Sequence, residues 1–553
     1  MTTTLLGMFR LSGDEDPLAD IKALAAWVAK QPANDDIAFQ EAMVRVLEAM
    51  GARQPQVTPN RILAVFELDR LSTPVQSRLL SQFLRPSLSD TVRQRLWDAC
   101  DDLSRWFAYT YENLFGATQE FFLAQKAKAL LPGVTARLFH YRGQQGRNAL
   151  FRYERWMPAK WQGLHAVFQS VLVRGLAHAP FSLLPDGARG DRCSAEQEYL
   201  QTLLLQRINT GNLSAPQIDM AGLWLRGWAH TLALAPAPLE GPGFWLDFGL
   251  GDGLLTRKPH TARGTLLYLD VAPLHREIDN VIGELSVQSK RAGAPAIQAA
   301  AAERLALLQR LRQLWNPAAR PIARRGERAP ADRPVTVAVG LVDITVALQG
   351  TGNADGRARF RRLDPAAAGN GSRVRSVNVD AQLIYTGGDR ANSWHLHDTS
   401  ESGCRLVSQS SAAAQQKLGS LLGIREEGDA RWKIGIVRRL KNFSGGQTEL
   451  GVGIVAQHAL LIAPTPVTSR DTGYSVDGID VSVEGFDALY LTPTPGESQP
   501  PQRSMIVPAL DYAERRRYFL TVENAAYTIE FTRALERTKD WVWSAFDTVT
   551  HTR

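Results

Sequence analysis

Cysteine is scarce in this chain: three in 553 residues, Cys100, Cys193 and Cys404, far apart and with no C-x-x-C pair. An odd, scattered set argues for neither a disulfide framework nor a zinc site, and it suits a reducing cytoplasm. Long apolar runs are missing too. Met1 to Arg10 holds only Leu5-Leu6, without a charged start leading into a long apolar core, so neither a signal peptide nor a membrane span is expected. The strings G-x-S-x-G, H-E-x-x-H and G-K-[ST] do not occur, which removes the commonest hydrolase, zinc-protease and phosphate-loop signatures. Nor is there a strong excess of one charge. A formal +7 from 63 basic and 56 acidic residues leans toward anionic partners and narrows them only slightly.

What is present divides into two grammars. From Asp16 to about Trp315 the apolar residues recur at helical spacing: Ala23, Leu24, Trp27 and Val28, then Phe39, Met43, Val46, Leu47 and Met50. Ser87 or Ser89 can cap a long helix over Asp90 to Phe115, whose Leu96, Cys100, Leu103, Phe107 and Tyr111 share one face. Two more helices are expected over Ser194 to Asn209 and Ala215 to Leu234, with Trp224 and Trp228 on one side. The tryptophans, mostly in this half, read as core rather than as a ligand box. A small β insertion near 243–272, with strands Phe244 to Phe248 and Thr265 to Asp270, interrupts the helices before Arg276 to Lys290 and Pro295 to Trp315 resume them.

Residues 317–334 are rich in proline, alanine and arginine and carry no periodicity, which marks a linker. Beyond it the alternation is that of strands: Val335, Val337 and Val339, then Trp432, Ile434 and Ile436, then Leu450, Val452 and Ile454. Residues 349–371 read as an exposed glycine- and arginine-rich insertion. Residues 461–553 read as a further β-rich module, with strands at Ala488 to Leu491, Tyr518 to Val522 and Tyr527 to Phe531. The expected architecture is therefore α+β multidomain: a helical domain over 1–316, the linker, a β-barrel over 335–460 and a β extension.

The stretch with most chemical content is Asp398-Thr399-Ser400-Glu401-Ser402-Gly403, a D-x-S-x-x-G turn after the alternating strand Trp394 to His397. Upstream stands Arg324-Arg325-Gly326-Glu327-Arg328. Arginine supplies a planar cationic fork for phosphate and for a guanine O6/N7 edge, and aspartate supplies the acceptor for guanine N–H groups. Together with Trp432-Lys433-Ile434-Gly435-Ile436-Val437-Arg438-Arg439 and Glu449-Leu450-Gly451-Val452, these motifs resemble the PilZ family of cyclic di-GMP receptors over roughly residues 324–456. The resemblance implies an antiparallel barrel that binds the dinucleotide reversibly through Arg324, Arg325, Arg328, Asp398, Ser400 and Gly403. It needs no cofactor and no chemistry of its own, and the helical domain would meet a protein partner in motility, pilus, biofilm or polysaccharide control. Arg328 and Asp398 stand 70 positions apart, longer than is usual in the family, and a second R-x-x-x-R, Arg357 and Arg361, lies nearer. The upstream pair is preferred because a linker followed at once by a strand, here Val335 onward, is where the family places its arginines.

Three other readings compete. Asp247 to Gly253 is D-x-G-x-G-x-G after a strand, and Asp270 ends the next strand 23 positions on, which is similar to the first motifs of S-adenosylmethionine methyltransferases. Pro259 interrupts the helix that should follow, and a hairpin with a glycine-rich turn is the better reading. His395 and His397 would share one strand face but lack a third ligand nearby. Arg438, Arg439 and Lys441 with Arg515, Arg516 and Arg517 could form basic patches for nucleic acid, though without interleaved aromatics.

Overall fold

The computed structural model describes residues 16–552 except 33, 86–87, 119–124, 184–191, 209–210, 239–240, 292–293, 320–327, 351–393, 410–415, 430, 444–445, 468–484, 493–502 and 523–524. Arg324, Arg325, Arg357 and Arg361, Ser87 and nearly all of the 349–371 insertion lie outside the described residues. The chain divides into two units, Met1–Pro321 and Ile322–Arg553.

The first unit is built on α1 (Ile21–Val28), α2 (Asp36–Arg53), α3 (Pro59–Phe83), α4 (Asp90–Ala117), α5 (Leu131–Phe151), α6 (Pro158–Val173), α7 (Ala195–Arg207), α8 (Ala215–Trp228), α9 (Ala272–Arg291) and α10 (Pro295–Leu314). Several start where the sequence offers a side-chain acceptor for the unpaired first-turn N–H groups. Asp20 accepts from the Ala23 amide, Asp35 from Ile37 and Ala38, and Ser89 from Val92. Ser194 and Gln197 form a reciprocal capping box at α7. Along α4, Leu96, Cys100, Leu103, Phe107 and Tyr111 are all buried, as a single stripe requires. Each fully buried large apolar side chain contributes about 1.5–3 kcal/mol. α8 stops at Trp228, short of the expected Leu234, where a turn leads into β1 (Leu234–Ala235).

β2 (Gly243–Asp247) and β3 (Leu266–Asp270) pair antiparallel, Gly243 opposite Asp270 and Asp247 opposite Leu266. This overturns the methyltransferase alternative, which needs these strands parallel with a helix crossing between them. Both acids serve local backbone instead. Asp247 accepts from the Gly249 and Arg263 amides and closes the glycine-rich loop, while Asp270 accepts from Ala272 at the start of α9.

In the second unit β4 (Ala329–Val339), β5 (Trp394–Ser400), β6 (Gly403–Ser408), β7 (Leu421–Glu426), β8 (Lys433–Asn442) and β9 (Thr448–Ala456) close an antiparallel barrel in the order β4-β5-β6-β9-β8-β7. The assignment of 317–334 wholly to a linker is too long at its carboxyl end, because Ala329–Pro334 already belongs to β4. That stretch pairs with β5 alone, and β7 joins only from Val335 on, so Pro330 and Pro334 sit where one side of the strand needs no ladder N–H. A helix that strand alternation did not suggest, α11 (Gly340–Gly350), follows directly. Its Ile344 and Ala347 are buried in one cluster with Leu421, Trp432, Ile434 and Ile436 of the barrel.

β10 (Ala459–Ile462), β11 (Thr465–Pro466), β12 (Ala488–Leu491), β13 (Ser504–Pro508), β14 (Arg517–Val522), β15 (Ala525–Arg537) and β16 (Trp541–Thr552) form one sheet, ordered β10-β12-β13-β16-β15-β14-β11. Alternate residues face opposite sides, as strand geometry dictates. Leu489, Leu491 and Ile506 join the core shared with the barrel, while Ala488, Met505 and Val507 join a separate core with Tyr518, Phe531 and Phe546. A bidentate ion pair, Arg438 of β8 to Glu536 of β15 at 2.7 and 2.6 Å, adds a polar link between barrel and sheet.

Candidate functional site

The β5–β6 hairpin turns tightly. Ser400 pairs with Gly403, Thr399 with Cys404 and Asp398 with Arg405, leaving Glu401 and Ser402 at the tip. The Ser400 hydroxyl donates to the Gly403 carbonyl at 3.0 Å, so it locks the turn from within. Gly403 is required for a reason other than left-handed backbone: its φ is not among the positive ones, but a Cβ there would stand 2.8 Å from the Val452 carbonyl oxygen of β9. The same Cβ position is 3.9 Å from Arg328 Nη2, so the guanidinium of Arg328 lies over the glycine.

Arg328 and Asp398, 70 positions apart in the chain, are in direct contact. Arg328 Nη1 donates to Asp398 Oδ1 at 2.5 Å, with side-chain exposures of 33% and 15%, the arginine exposed and the aspartate half-buried. The ladder explains the meeting, since Ala329 pairs with Thr399 and Pro330 with Asp398. The other carboxylate oxygen faces Arg405, whose Nε is 2.7 Å from Oδ2, an ion-pair contact not aligned as a hydrogen bond. Arg405 also reaches His397 Nδ1 from Nη2 at 2.7 Å and Glu449 at 3.7 Å, and Lys441 approaches the other Glu449 oxygen at 3.5 Å. Arg328, Arg405 and Lys441 thus stand against Asp398 and Glu449, a strip of charges that runs from the hairpin end across β6 and β9 to β8. Beneath it Cys404 is buried, which pushes its thiol up to about 12 and leaves it an inert packing group.

Arg405 was not among the residues picked from sequence. A two-residue hairpin turn at Glu401-Ser402 is the signal that finds it, because that register sets the second residue after the glycine opposite the motif's aspartate. His395 and His397 do alternate on an exposed strand face, and His397 serves Arg405. Three of the six basic residues suggested for nucleic acid are paired with acids: Arg438 with Glu536, Lys441 with Glu449 and Arg517 with Glu530.

Two family models match the chain. Residues 22–238 match the N-terminal domain of the cyclic-di-GMP receptor FimW, and residues 367–460 match its middle PilZ domain. The chain belongs to the FimW family of cyclic-di-GMP receptors. The FimW N-terminal match lies within the helical unit, and the PilZ match contains the Asp398 hairpin and β5 to β9. The PilZ match begins after both candidate arginine pairs and after β4, so it does not choose between Arg324/Arg328 and Arg357/Arg361. No curated protein and no solved structure matches. Among the described residues no helix is long and apolar enough to cross a membrane.

Proposed function

We propose that this receptor binds cyclic di-GMP on the barrel rim between Arg328, Arg405 and Asp398, with Arg324 and Arg325 closing from the segment just upstream and Ser400 and Gly403 shaping the hairpin. The contact of Arg328 with Asp398 across 70 positions carries this reading. Without ligand the aspartate is satisfied by two arginines. On binding, phosphate takes the guanidinium groups and guanine N–H donors take the carboxylate, so one set of charge-assisted bonds is exchanged for another at little desolvation cost. Gly403, bare of a side chain, leaves room for the arginine and a flat base above the hairpin.

The unit boundary falls after Pro321, three residues before Arg324. A ligand that holds Arg324 and Arg328 therefore holds the segment joining the two units, and this is the means by which occupancy reaches the helical unit and a protein partner there. The protein acts in the cytoplasm, without chemistry of its own, and its output belongs to motility, pilus, biofilm or polysaccharide control.

Isothermal titration of cyclic di-GMP into the full chain tests the assignment. Arg328→Ala and Asp398→Ala each weaken binding by about 1.5–3 kcal/mol, the worth of a hydrogen bond to a charged group. Arg361→Ala leaves affinity unchanged. If Arg361→Ala abolishes binding while Arg328→Ala does not, the downstream pair is the ligand's and the assignment fails.

A further inference from the structure

The helical unit contains a cavity that the barrel site does not use. It measures about 310 Å3 and lies among α5, α7 and the end of α8, with His140, Glu198, Gln201, Arg192, Arg226 and His230 on its walls. A crevice of about 40 Å3 adjoins it and shares His140, Glu198, Gln201 and Arg226.

Its polar groups are not all spent. Arg137 also lines the cavity, but its guanidinium is committed to Asp69, and Arg147 in the crevice is committed to Asp219. Gln144 turns its carbonyl oxygen to Arg147 and its amide to His140 Nε2 at 3.3 Å, so the imidazole is neutral and offers Nδ1–H to Glu198 Oε2 at 3.2 Å. Burial alone would raise the Glu198 pKa, but the hydrogen bond from His140 and the charges of Arg226 and Arg137 outweigh it and keep the group a carboxylate. Its second oxygen, Oε1, makes no hydrogen bond among the described residues, is not sealed from solvent, and belongs to a residue lining both spaces. At the rim Arg192 and Arg226 are exposed and make no hydrogen bond or ion pair among the described residues, and His230 uses only Nδ1, toward the Gly227 carbonyl.

The open groups are thus one carboxylate oxygen of the buried Glu198 inside and two guanidinium forks outside. The complement is a ligand with an N–H donor at one end and a multi-oxygen anion at the other. A volume at the lower end of the roughly 300–1,000 Å3 typical of ligand pockets suits one nucleotide rather than two. We propose that this cavity is a second ligand site of the receptor, taking a purine mononucleotide with its donor base edge on Glu198 and its phosphate on Arg226 and Arg192.

The test is titration of guanosine 5′-monophosphate into the full chain, with inorganic phosphate and guanosine as separate probes. The mononucleotide should bind, and each fragment should bind at least about tenfold more weakly, the equivalent of about 1.4 kcal/mol. Arg226→Gln and Glu198→Gln should each weaken the mononucleotide by about tenfold or more, whereas Asp398→Ala should leave it unchanged. Arg226 is exposed, so its substitution keeps the test decisive even if Glu198→Gln fails to fold. No binding to the wild type overturns the proposal. So does loss in Asp398→Ala with Arg226→Gln unaffected, which assigns the nucleotide to the barrel, and so does phosphate binding as tightly as the nucleotide.

Discussion

Two arginine–aspartate pairs in this protein use the same atoms in opposite surroundings. In the helical unit Asp69 is wholly buried: Arg137 Nη2 and Tyr141 donate to one oxygen and Arg137 Nε and Tyr111 to the other, all at 2.6–2.7 Å. Every lone pair that matters is used, and three helices, α3, α4 and α5, are pinned at one point. On the barrel rim Asp398 meets Arg328 and Arg405 in partial contact with water. A pair sealed from solvent has no competitor and holds structure, whereas one at the edge of water can trade its partner for a ligand.

Substitutions that break one pair and spare the other separate these roles. Asp69→Asn leaves the Arg137 charge buried without a counter-ion and should cost about 3–5 kcal/mol in denaturant unfolding. Cyclic di-GMP affinity of the folded fraction should not change. Gly403→Ala changes the ground beneath the rim pair without touching either charge. The methyl group meets the Val452 carbonyl, so a loss of about 1–3 kcal/mol is expected, with weaker dinucleotide binding in the same calorimetric experiment. Asp398→Ala should shift the unfolding free energy by no more than about 1 kcal/mol despite its effect on affinity. A larger stability loss would make the rim pair a second structural pin. Smallest of all should be Arg438→Gln, which removes a more exposed pair, 47% and 24%, between barrel and sheet. Less than about 1 kcal/mol is expected from thermal unfolding, because the shared apolar core carries that junction.

Much of this could be read from residues close together in the chain. The α4 stripe, the Ser89 cap and the barrel's valine and isoleucine alternation are local periodicities. So is the D-x-S-x-x-G hairpin, and that is why the receptor resemblance was visible. α11 escaped because Leu341, Ile344, Ala347 and Leu348 follow a strand with only Gly340, at φ +82, to mark the change. The alternating pattern simply ran on into it. Ala329–Pro334 reads as linker because its proline-rich composition shows no alternation, and only the one-sided pairing of β4 makes its two prolines tolerable in a strand.

By itself the sequence showed most of the helices and strands, and it singled out an aspartate-bearing turn and an arginine cluster as candidates for one site. Tertiary structure decided which charges are neighbours: Asp69 with Arg137, 68 positions on, Arg438 with Glu536, 98 positions on, and β2 with β3 antiparallel. The reason is that periodicity is a property of the backbone repeat and shows within a few turns. The strength of an ion pair depends on register and on how much water remains around it, and both exist only once distant segments have packed.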